Sequence, residues 1–260
     1  MADAMSNDTL VTRQFGPRAA AYVASAVHAQ GEDLDELRTF AEAQRFGRVL
    51  DLGCGGGHVG FALAPFARDV VAFDLSEAML AAVAAEAAAR GISNLTTRQG
   101  AAETLPFEDG AFDFAATRYS AHHWQDVSAA LREARRALKP GAVLMVMDVV
   151  APENVLCDTF IQTVEMLRDP SHVRDYSVRE WAAMLKAAGF APEEAKRRRI
   201  RIDYASWIAR MQTPKVQADA ILALMTQMPD EVRSHFAIEP DGSFMLDTAS
   251  VAARVLPPSP

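Results

Sequence analysis

A glycine-rich turn, Gly53-Cys54-Gly55-Gly56-Gly57, lies between the apolar run Val49-Leu50-Asp51-Leu52 and a stretch with helical periodicity. Glycine adopts positive φ angles and has no Cβ, so a ligand can approach the backbone of such a turn closely. The N–H groups at the start of the following helix carry partial positive charge, which attracts an anionic group. Asp74 ends the next apolar run, where a carboxylate can accept hydrogen bonds from both hydroxyls of a ribose. These residues predict a site for a ribose-containing ligand.

The glycine spacing by itself also fits a nicotinamide cofactor. Gly55, Gly57 and Gly60 have the G-x-G-x-x-G spacing that is typical of dinucleotide-binding folds. The carboxylate of Asp74 would disfavour a 2′-phosphate, so this interpretation predicts NAD. The protein would then be an NAD-dependent oxidoreductase. The glycine spacing does not tell this class from proteins that bind another ribose-containing ligand.

Histidines supply the candidate acid–base groups, since an imidazole exchanges a proton near neutral pH. His122 and His123 follow the predicted fourth strand, and open α/β sheets bind their ligands at the carboxyl ends of strands. One of the two could instead anchor the loop by packing against Trp124. His28 and His172 lie in segments that could fold over the site, although structural or surface roles fit them as well. The pair after the fourth strand is therefore the candidate catalytic group.

Tyr22 lies on one face of an N-terminal helical stretch together with Ser25 and His28, because the three residues are three positions apart. Tyr22 could help to close the pocket, or it could belong to the core. No metal is expected, since the histidines and cysteines lack the close spacing of a zinc site.

The elements that must position these groups alternate between short β-branched runs and helical stretches, the pattern of βαβ units with a parallel sheet. Five buried strands are predicted, at residues 48–52, 69–74, 95–99, 112–117 and 142–148. The helix between the last two covers residues 127–138 and ends before Lys139-Pro140-Gly141. The chain therefore predicts an α/β fold with a doubly wound sheet.

Composition limits the classes of protein that remain. The chain has 260 residues, of which 50% are hydrophobic, and this predicts a packed core. Its 26 Lys and Arg against 34 Asp and Glu give a net charge of −8, the wrong sign for a nucleic-acid binder. The richest apolar stretch, residues 142–151, is far shorter than the roughly 20 residues of a membrane helix. With two cysteines and a polar first segment, we expect a soluble cytoplasmic protein without nucleic acid or membrane insertion.

One basic run stands out on this acidic chain. Lys196-Arg197-Arg198-Arg199-Ile200-Arg201 could attract an anion. Such a run is more often a solvated edge strand whose charges prevent aggregation, and we prefer that interpretation.

Four motifs occur in order along residues 46–152. They are Asp51 in the first strand, Gly53-x-Gly55-x-Gly57, the segment Gln99 to Phe107, and Leu138-Lys139-Pro140-Gly141. In type and spacing the set resembles the class I S-adenosylmethionine-dependent methyltransferases. The segment Thr117 to Trp124 looks like the small-molecule branch related to the ubiquinone and menaquinone C-methyltransferases. The resemblance implies a Rossmann-like, mostly parallel sheet of seven strands, the last one antiparallel, with helical cap elements.

The resemblance also implies which positions hold the cofactor S-adenosylmethionine. The glycines would wrap its methionine part, Asp51 would lie near its ammonium group, and Asp74 would hold the ribose. Leu75 and Met79 would face the adenine, and Ala102 would offer its N–H to a ring nitrogen. The full expected set is Asp51, Gly53, Cys54, Gly55, Gly57, Asp74, Leu75, Met79, Ala101, Ala102, Glu103 and Arg118.

Ala101 departs from the family pattern, which commonly has an aspartate there for the adenine amino group. Either Glu103 substitutes for that carboxylate, or adenine is held less tightly. Arg118 would lie beside the methionine end of the cofactor. Cys54 suits the turn as a small side chain, so packing explains it without redox chemistry.

The implied reaction is methyl transfer from S-adenosylmethionine to carbon, oxygen or nitrogen of a small-molecule acceptor, releasing S-adenosylhomocysteine. We expect an N-terminal helical cap at residues 1–45, a cofactor-binding core at 46–152, and strands and substrate-covering helices of the same domain at 153–260. One alternative is a protein that senses S-adenosylmethionine or scaffolds a partner without turnover. The other is the NAD-dependent oxidoreductase, which leaves Leu105-Pro106-Phe107 unexplained. The oligomeric state stays open.

Overall fold

The computed structural model describes residues 6–23 and 29–257. In these residues eight strands form one sheet: β1 (Phe46–Leu52), β2 (Ala67–Asp74), β3 (Leu95–Gln99), β4 (Phe112–Arg118), β5 (Leu138–Val149), β6 (Phe190–Pro192), β7 (Lys196–Ile202) and β8 (Phe244–Val255). The described helices are α1 (Asn7–Phe15), α2 (Ala19–Val23), α3 (Glu32–Glu42), α4 (His58–Leu63), α5 (Glu77–Ala89), α6 (Val127–Ala137), α7 (Val155–Arg168), α8 (Val178–Ala187), α9 (Tyr204–Met211), α10 (Lys215–Gln227) and α11 (Asp230–His235). Single 3₁₀ turns occur at Gly16–Arg18, Ala64–Phe66 and Ala121–His123.

The strand order across the sheet is β3-β2-β1-β4-β5-β8-β6, and β7 also lies beside β8. β1 is parallel to β2 and to β4, whereas β8 is antiparallel to β5. β6 and β7 pair with different parts of β8, so the sheet has seven positions, one of which is divided between two short strands. The predicted doubly wound sheet with an antiparallel last strand is confirmed.

The strand order places a crevice between β1 and β4. From β1 the chain continues to β2 on one side, and from β4 it continues to β5 on the other. Ligands of open α/β sheets bind at the carboxyl ends of strands at such a reversal. The two loops meet there, since a Cβ on Gly53 after β1 would collide with the side chain of Ser120 after β4.

Alternating side chains of the central strands face two separate cores, because successive residues of a strand point to opposite faces. Leu50 and Leu52 belong to the cluster that includes α6 and α8. Val49 and Phe114 belong to the cluster that includes α3 and α4. The sheet is therefore covered by helices on both faces, which explains why its strands are almost continuously apolar.

The C-terminal helices form a third apolar cluster against one end of β8. Phe160 of α7 packs on Phe236 after α11, with ring centroids 5.1 Å apart, and Trp207 of α9 packs on Phe244 at 5.2 Å. Within residues 6–23 and 29–257, no helix combines the length and apolar composition that crossing a bilayer requires. The third cluster fixes α7 and α9 beside the carboxyl ends of the central strands.

β7 carries the basic run, and no described strand lies on its far side. Ile200 packs against the third cluster. Arg199 pairs with Asp247 at 3.0 Å and Arg201 with Glu239 at 2.6 Å. The run is an edge strand, and the exposed Arg199 and Arg201 have acidic partners, in agreement with the preferred interpretation.

Phe114→Ala tests the packing that holds α3 to the sheet. Phe114 has no exposed surface, and its ring lies 5.0 Å from that of Phe46 and 5.4 Å from that of Phe40. Removing the ring leaves a cavity, so the free energy of unfolding measured in urea should fall by about 3–5 kcal/mol. Val216→Ala, at a 75% exposed position, is the control and should change it by less than about 0.5 kcal/mol. A loss below about 1 kcal/mol for Phe114→Ala would show that this contact does not hold the layers together.

Candidate active site

A cavity lies at the carboxyl ends of β1, β2 and β4, where the strand order reverses. Its lining contains all but one of the positions expected to bind the cofactor: Asp51, Gly53, Cys54, Gly55, Asp74, Leu75, Met79, Ala101, Ala102, Glu103 and Arg118. The helices before β1 also contribute, through Asp8 and Phe15 of α1 and Tyr22 of α2. We call this space the cofactor cavity.

The glycine turn has two distinct parts. The N–H groups of Gly53 and Cys54 donate to the carbonyl oxygen of Phe73 at 2.8 and 2.9 Å, which ties the turn to the end of β2. Gly55 has a φ of 47°, and, apart from its chain neighbours, no atom of the described residues would lie within 4 Å of a Cβ placed on it. Its N–H donates to Asp74 Oδ2 at 2.8 Å. Gly55 is thus the point where a ligand can lie directly against the backbone.

Gly57 does not line the cavity. Its φ is 76°, it directly precedes α4, and a Cβ there would be 2.9 Å from the side chain of Val83 on α5. The absence of a side chain at Gly57 therefore serves the packing of α4 and α5. Gly57 therefore shapes the turn on the side that contacts α5, and not on the side that lines the cofactor cavity.

Two carboxylates face the cofactor cavity from neighbouring strands. Asp51 is 1% exposed, and its Oδ2 accepts a hydrogen bond from the N–H of Gly60 at 2.8 Å. Burial raises the pKa of Asp51 to about 7, and the charge of Asp74 acts in the same direction. Burial also raises the pKa of Asp74, whose Oδ1 accepts from the N–H of Ser76 at 2.9 Å. A cationic ligand group beside the pair would favour their charged forms.

The segment after β3 supplies the next wall. Glu103 Oε1 accepts hydrogen bonds from the N–H groups of Gln125 and Asp126, at 2.9 and 3.2 Å. That oxygen is therefore engaged in holding the loop that follows β4. Ala101 and Ala102 line the cavity without adding a polar side chain.

Arg118 at the end of β4 forms a buried ion pair. Its Nη2 is 3.0 Å from Asp33 Oδ1 of α3, its Nε is 2.5 Å from Oδ2, and its side chain is only 6% exposed. The pair joins the N-terminal helices to the centre of the site. Sequence reasoning identified Arg118 but not its partner Asp33, which is 85 residues away in the chain.

A second cavity of about 730 Å³ adjoins the first. Five residues line both: Phe15, Tyr22, Arg118, Tyr119 and His123. The predicted residues His122 and His172 line the second cavity. His28 lies outside the described residues.

His122 is paired with a buried carboxylate at the end of β5. Its Nδ1 is 2.7 Å from Asp148 Oδ1, and Asp148 is 3% exposed. Burial alone would lower the pKa of His122, but the charge and hydrogen bond of Asp148 outweigh it and raise the pKa to about 9. His122 is therefore protonated at neutral pH, with Nε2–H as its remaining donor.

His123 has the opposite protonation state. Its Nδ1 lies 3.1 Å from the carbonyl oxygen of Ser171, which can only accept, so Nδ1 carries the proton and Nε2 can accept one. Burial lowers the pKa of His123 to about 4, and the nearby charge of His122 adds to this effect. The two rings, with centroids 4.3 Å apart, form a donor beside an acceptor.

Further titratable groups surround the pair. His172 Nε2 is 3.0 Å from Gln162 Oε1, and burial keeps the pKa of His172 far below its ordinary value. Asp175 is 2% exposed, its Oδ2 has no hydrogen-bond partner among the described residues, and burial raises its pKa well above the ordinary range. Glu165 is buried as well, and its pKa is raised by the same cause. Sequence reasoning missed Asp148, Asp175 and Glu165; only Asp148, at the end of an apolar strand, carried a local signal.

Within the described part of the chain, no three His, Cys, Asp or Glu side chains are arranged to hold a metal ion. The cysteines are both buried and form no disulfide.

Comparison with known proteins identifies the family. A family model described as a methyltransferase domain matches residues 50–146. The uncharacterised protein YafE of Escherichia coli (strain K12) is 47% identical, over 78% of this chain and 98% of YafE. The uncharacterised methyltransferase YcgJ of Bacillus subtilis (strain 168) is 37% identical, over 90% of this chain and 91% of YcgJ. This chain belongs to the same methyltransferase family.

The crystal structure of YcgJ superposes on this methyltransferase with a TM-score of 0.83 and 34% identity, covering 86% of this chain and 98% of that one. The ubiquinone/menaquinone biosynthesis C-methyltransferase UbiE of Zymomonas mobilis is 32% identical over 44% of this chain and 47% of UbiE. The chain is an S-adenosylmethionine-dependent methyltransferase, and its resemblance to the quinone methyltransferases is confirmed. The oxidoreductase alternative is left without support.

The cofactor cavity of this methyltransferase fits S-adenosylmethionine. The ligand carries an ammonium group, a sulfonium group and a ribose, and two carboxylates, Asp51 and Asp74, face it. Each oxygen of Asp74 accepts one backbone N–H and keeps a lone pair for a hydroxyl. The open side of Gly55 leaves space against the backbone.

Gly55→Ala and Gly57→Ala should separate ligand contact from packing. Both place alanine in the left-handed region, at a cost of about 1–2 kcal/mol. Gly57→Ala adds a clash with Val83 of about 1–3 kcal/mol, measurable by urea unfolding. Gly55→Ala should instead lower the calorimetric affinity for S-adenosylhomocysteine by about tenfold or more, because its methyl group enters the ligand space.

The double variant Gly57→Ala/Val83→Ala is the control for this prediction, since it removes the atoms that clash and should recover part of the lost stability. Equal stability losses in the two single variants, with equal losses of affinity, would contradict the assignment.

Long-range ¹H–¹⁵N NMR can measure the protonation of the paired histidines. His122 should titrate with a pKa of about 9 and His123 with a pKa of about 4. Asp148→Asn should lower the pKa of His122, because burial then acts without the opposing carboxylate. Asp219→Asn, on the exposed surface of α10, is the control and should leave both rings unchanged. Titration of His122 below pH 7 in the native protein would disprove the pairing.

Proposed function

We propose that this methyltransferase methylates a small-molecule acceptor held in the second cavity, at an oxygen or carbon that must lose a proton to react. The observation that carries the proposal is the junction of the two cavities, where His123 lines both. UbiE, whose name places it in quinone biosynthesis as a C-methyltransferase, supports an acceptor of this kind.

In this proposal, residues that line the cofactor cavity bind the ribose, the ammonium group and the adenine of S-adenosylmethionine. S-adenosylmethionine supplies, when bound, a methyl group on a positively charged sulfur. Asp74 would accept hydrogen bonds from the ribose, and the ammonium group would favour the charged form of Asp51. Met79, which is 2% exposed, and Leu75 would hold the adenine by apolar contact. Because Glu103 Oε1 is engaged with the loop, we favour weaker polar recognition of adenine over a substitution by Glu103.

In this proposal the two histidines have different roles, one as proton acceptor and the other as hydrogen-bond donor. His123 Nε2 accepts the proton of the acceptor, since Nδ1 is bound to the Ser171 carbonyl oxygen and the ring is neutral. His122 donates from Nε2–H to the oxygen on which negative charge develops. Asp148 is a positioning residue that keeps His122 oriented and protonated.

The chain segments on either side of the core close the site. Phe15 packs edge-to-face on Tyr22 at 5.5 Å and on His123 at 5.0 Å, which places the N-terminal helices over the junction of the cavities. Residues of α7, α9 and β7 line the second cavity. This supports a helical cap within residues 1–45 and a substrate-covering part within 153–260, around a core at 46–152.

We also propose that the protein is located in the cytoplasm. Both cysteines are free and buried, which is compatible with a reducing compartment.

Calorimetry with S-adenosylmethionine, S-adenosylhomocysteine and NAD tests the cofactor part. The two sulfur compounds should bind and NAD should not. Asp74→Ala should weaken their binding by about 10- to 100-fold, because a charge-assisted hydrogen bond is lost. The control Asp219→Ala changes an exposed carboxylate on α10 and should bind as the wild type does. Unchanged affinity in Asp74→Ala would overturn the ribose assignment.

Turnover is tested with methyl-labelled S-adenosylmethionine and a panel of phenols, hydroquinones and carbon acids. His123→Gln should lower turnover of any accepted compound by about 100-fold or more, while affinity for S-adenosylhomocysteine changes by less than about threefold. Tight cofactor binding without turnover across the panel would favour the alternative of a sensor or scaffold protein.

A further inference from the structure

Asp175 lines the second cavity, and the proton transfer proposed for His123 does not use its carboxyl group. The residue is 2% exposed, and its Oδ2 has no hydrogen-bond partner among the described residues. A buried polar atom without a partner destabilises a folded protein, because it has lost its hydrogen bonds to water. A ligand in the cavity can supply the missing partner.

Two other buried carboxyl groups of the same lining already have partners. Glu165 pairs with Arg168 at 3.5 Å. Asp169 Oδ1 accepts hydrogen bonds from the N–H and the hydroxyl of Ser171, at 2.9 and 2.6 Å. These two groups are held by the protein itself, whereas the carboxyl group of Asp175 is not held in this way.

Gln162 of α7 fixes the backbone of Asp175. Its Oε1 accepts from the N–H of Asp175 at 3.0 Å, and its Nε2 donates to the carbonyl oxygen of Asp175 at 2.7 Å. The same amide contacts His172 Nε2 at 3.0 Å and Asp158 Oδ1 at 2.9 Å, so it is fixed as well. Backbone contacts therefore set the position of Asp175, and its carboxyl group is not needed for them.

The segment that carries Asp175 is also joined to the loop after β4. The N–H of Val173 donates to the carbonyl oxygen of His122 at 2.8 Å. The carbonyl oxygen of Ser171 lies 3.1 Å from Nδ1 of His123. Asp175 therefore has a defined position relative to both candidate catalytic histidines. A group placed in this way can orient a ligand, because its own supports are rigid.

The charges around Asp175 favour a neutral polar partner. Burial raises the pKa of Asp175 well above its ordinary value, the charge of His122 opposes this, and nearby carboxylates add to it. A protonated carboxyl group donates one hydrogen bond and can still accept others, and a hydroxyl group has the same two abilities. An ammonium group fits less well, because the positive charge of His122 acts on the same carboxyl group and would repel a second cation.

We propose that Asp175 is a specificity-determining residue whose carboxyl group binds a hydroxyl group of the methyl acceptor, away from the atom that is methylated. The inference rests on the proposed function, in which the second cavity holds the acceptor. The reacting end of the acceptor lies at His122 and His123, and its second polar end lies at Asp175. The acceptor is then a compound with two hydroxyl groups and not one with a single hydroxyl group on an apolar body.

Urea unfolding without ligand tests whether the carboxyl group serves the fold. Asp175→Ala removes a buried group that lacks a partner, so the urea midpoint should not fall below that of the wild type. Asp148→Ala is the matched control at a 3% exposed position. It leaves the N–H groups of Ala121 and Val149 without their acceptor, so its midpoint should fall clearly. A fall for Asp175→Ala as large as that for Asp148→Ala would assign Asp175 to the fold and refute the proposal.

Calorimetric titration of the protein loaded with S-adenosylhomocysteine tests the binding itself. The probes are phenol, catechol, resorcinol and hydroquinone, which differ only in the presence and place of a second hydroxyl group. At least one diol should bind about tenfold or more tightly than phenol, because it satisfies the buried carboxyl group. Asp175→Ala should reduce this preference to less than about threefold. Asp175→Asn should keep about threefold or more, since an amide also donates to and accepts from a hydroxyl group.

Asp219→Ala, on the exposed surface of α10, is the control and should show the preference of the wild type. Equal binding of phenol and all three diols, no binding of any probe at millimolar concentration, or an undiminished preference in Asp175→Ala would each overturn the assignment of Asp175. Failure to bind S-adenosylhomocysteine would instead overturn the proposed function. The two failures are distinguishable, because the loading step is measured first.

Discussion

A buried carboxylate at the end of β5 organises the loop that carries both candidate catalytic histidines. Asp148 is 3% exposed, and its oxygens accept hydrogen bonds from the N–H groups of Ala121 and Val149 and from the ring of His122. A charged carboxylate removed from water costs several kcal/mol unless donors of this kind satisfy it. The loop after β4 therefore has to close onto β5, and this closure places the histidines where the two cavities join.

The same carboxylate decides which histidine is charged. Two imidazolium rings with centroids 4.3 Å apart repel each other, so the positive charge on one ring lowers the pKa of the other. Asp148 stabilises the charge on His122, whereas the carbonyl oxygen of Ser171 fixes the neutral tautomer of His123. A hydrogen-bond donor and a proton acceptor result from side chains of the same type at adjacent positions. Burial strengthens the contrast because the low dielectric magnifies each interaction.

The two cavities are lined by different parts of the chain. The cofactor cavity presents carboxylates from the ends of β1 and β2, which suit a cationic cofactor. The second cavity is lined both by guanidinium groups, such as Arg168 of α7, and by buried carboxyl groups, such as Glu165 and Asp175. The central sheet provides the first wall and the terminal segments provide the second. Variation of those segments can therefore change the acceptor without disturbing cofactor binding, in keeping with the many functions that one fold supports.

The sequence alone predicted most of the expected cofactor-binding residues that line the cofactor cavity. Asp51, Gly55 and Asp74 lie at the ends of adjacent parallel strands, and local periodicity already locates those ends. The alternation of short apolar runs with helical stretches predicted the doubly wound sheet, and the structure confirms it. Spacing did not reveal that Gly57 faces Val83, because a glycine motif does not state which member meets a ligand and which meets a helix.

The residues that line the second cavity are brought together by tertiary structure. Asp148 and His122 are 26 residues apart, and Tyr22 meets Met211 across 189 residues. Arg168 of α7 and Arg210 of α9 both line the second cavity because the third apolar cluster packs these helices together. Strand ends and turns follow from interactions between neighbours in the chain, so the sequence by itself determined the family, the sheet and the cofactor turn. The pairing of the histidines and the lining of the second cavity depend on how distant segments pack, and residue spacing does not encode that packing.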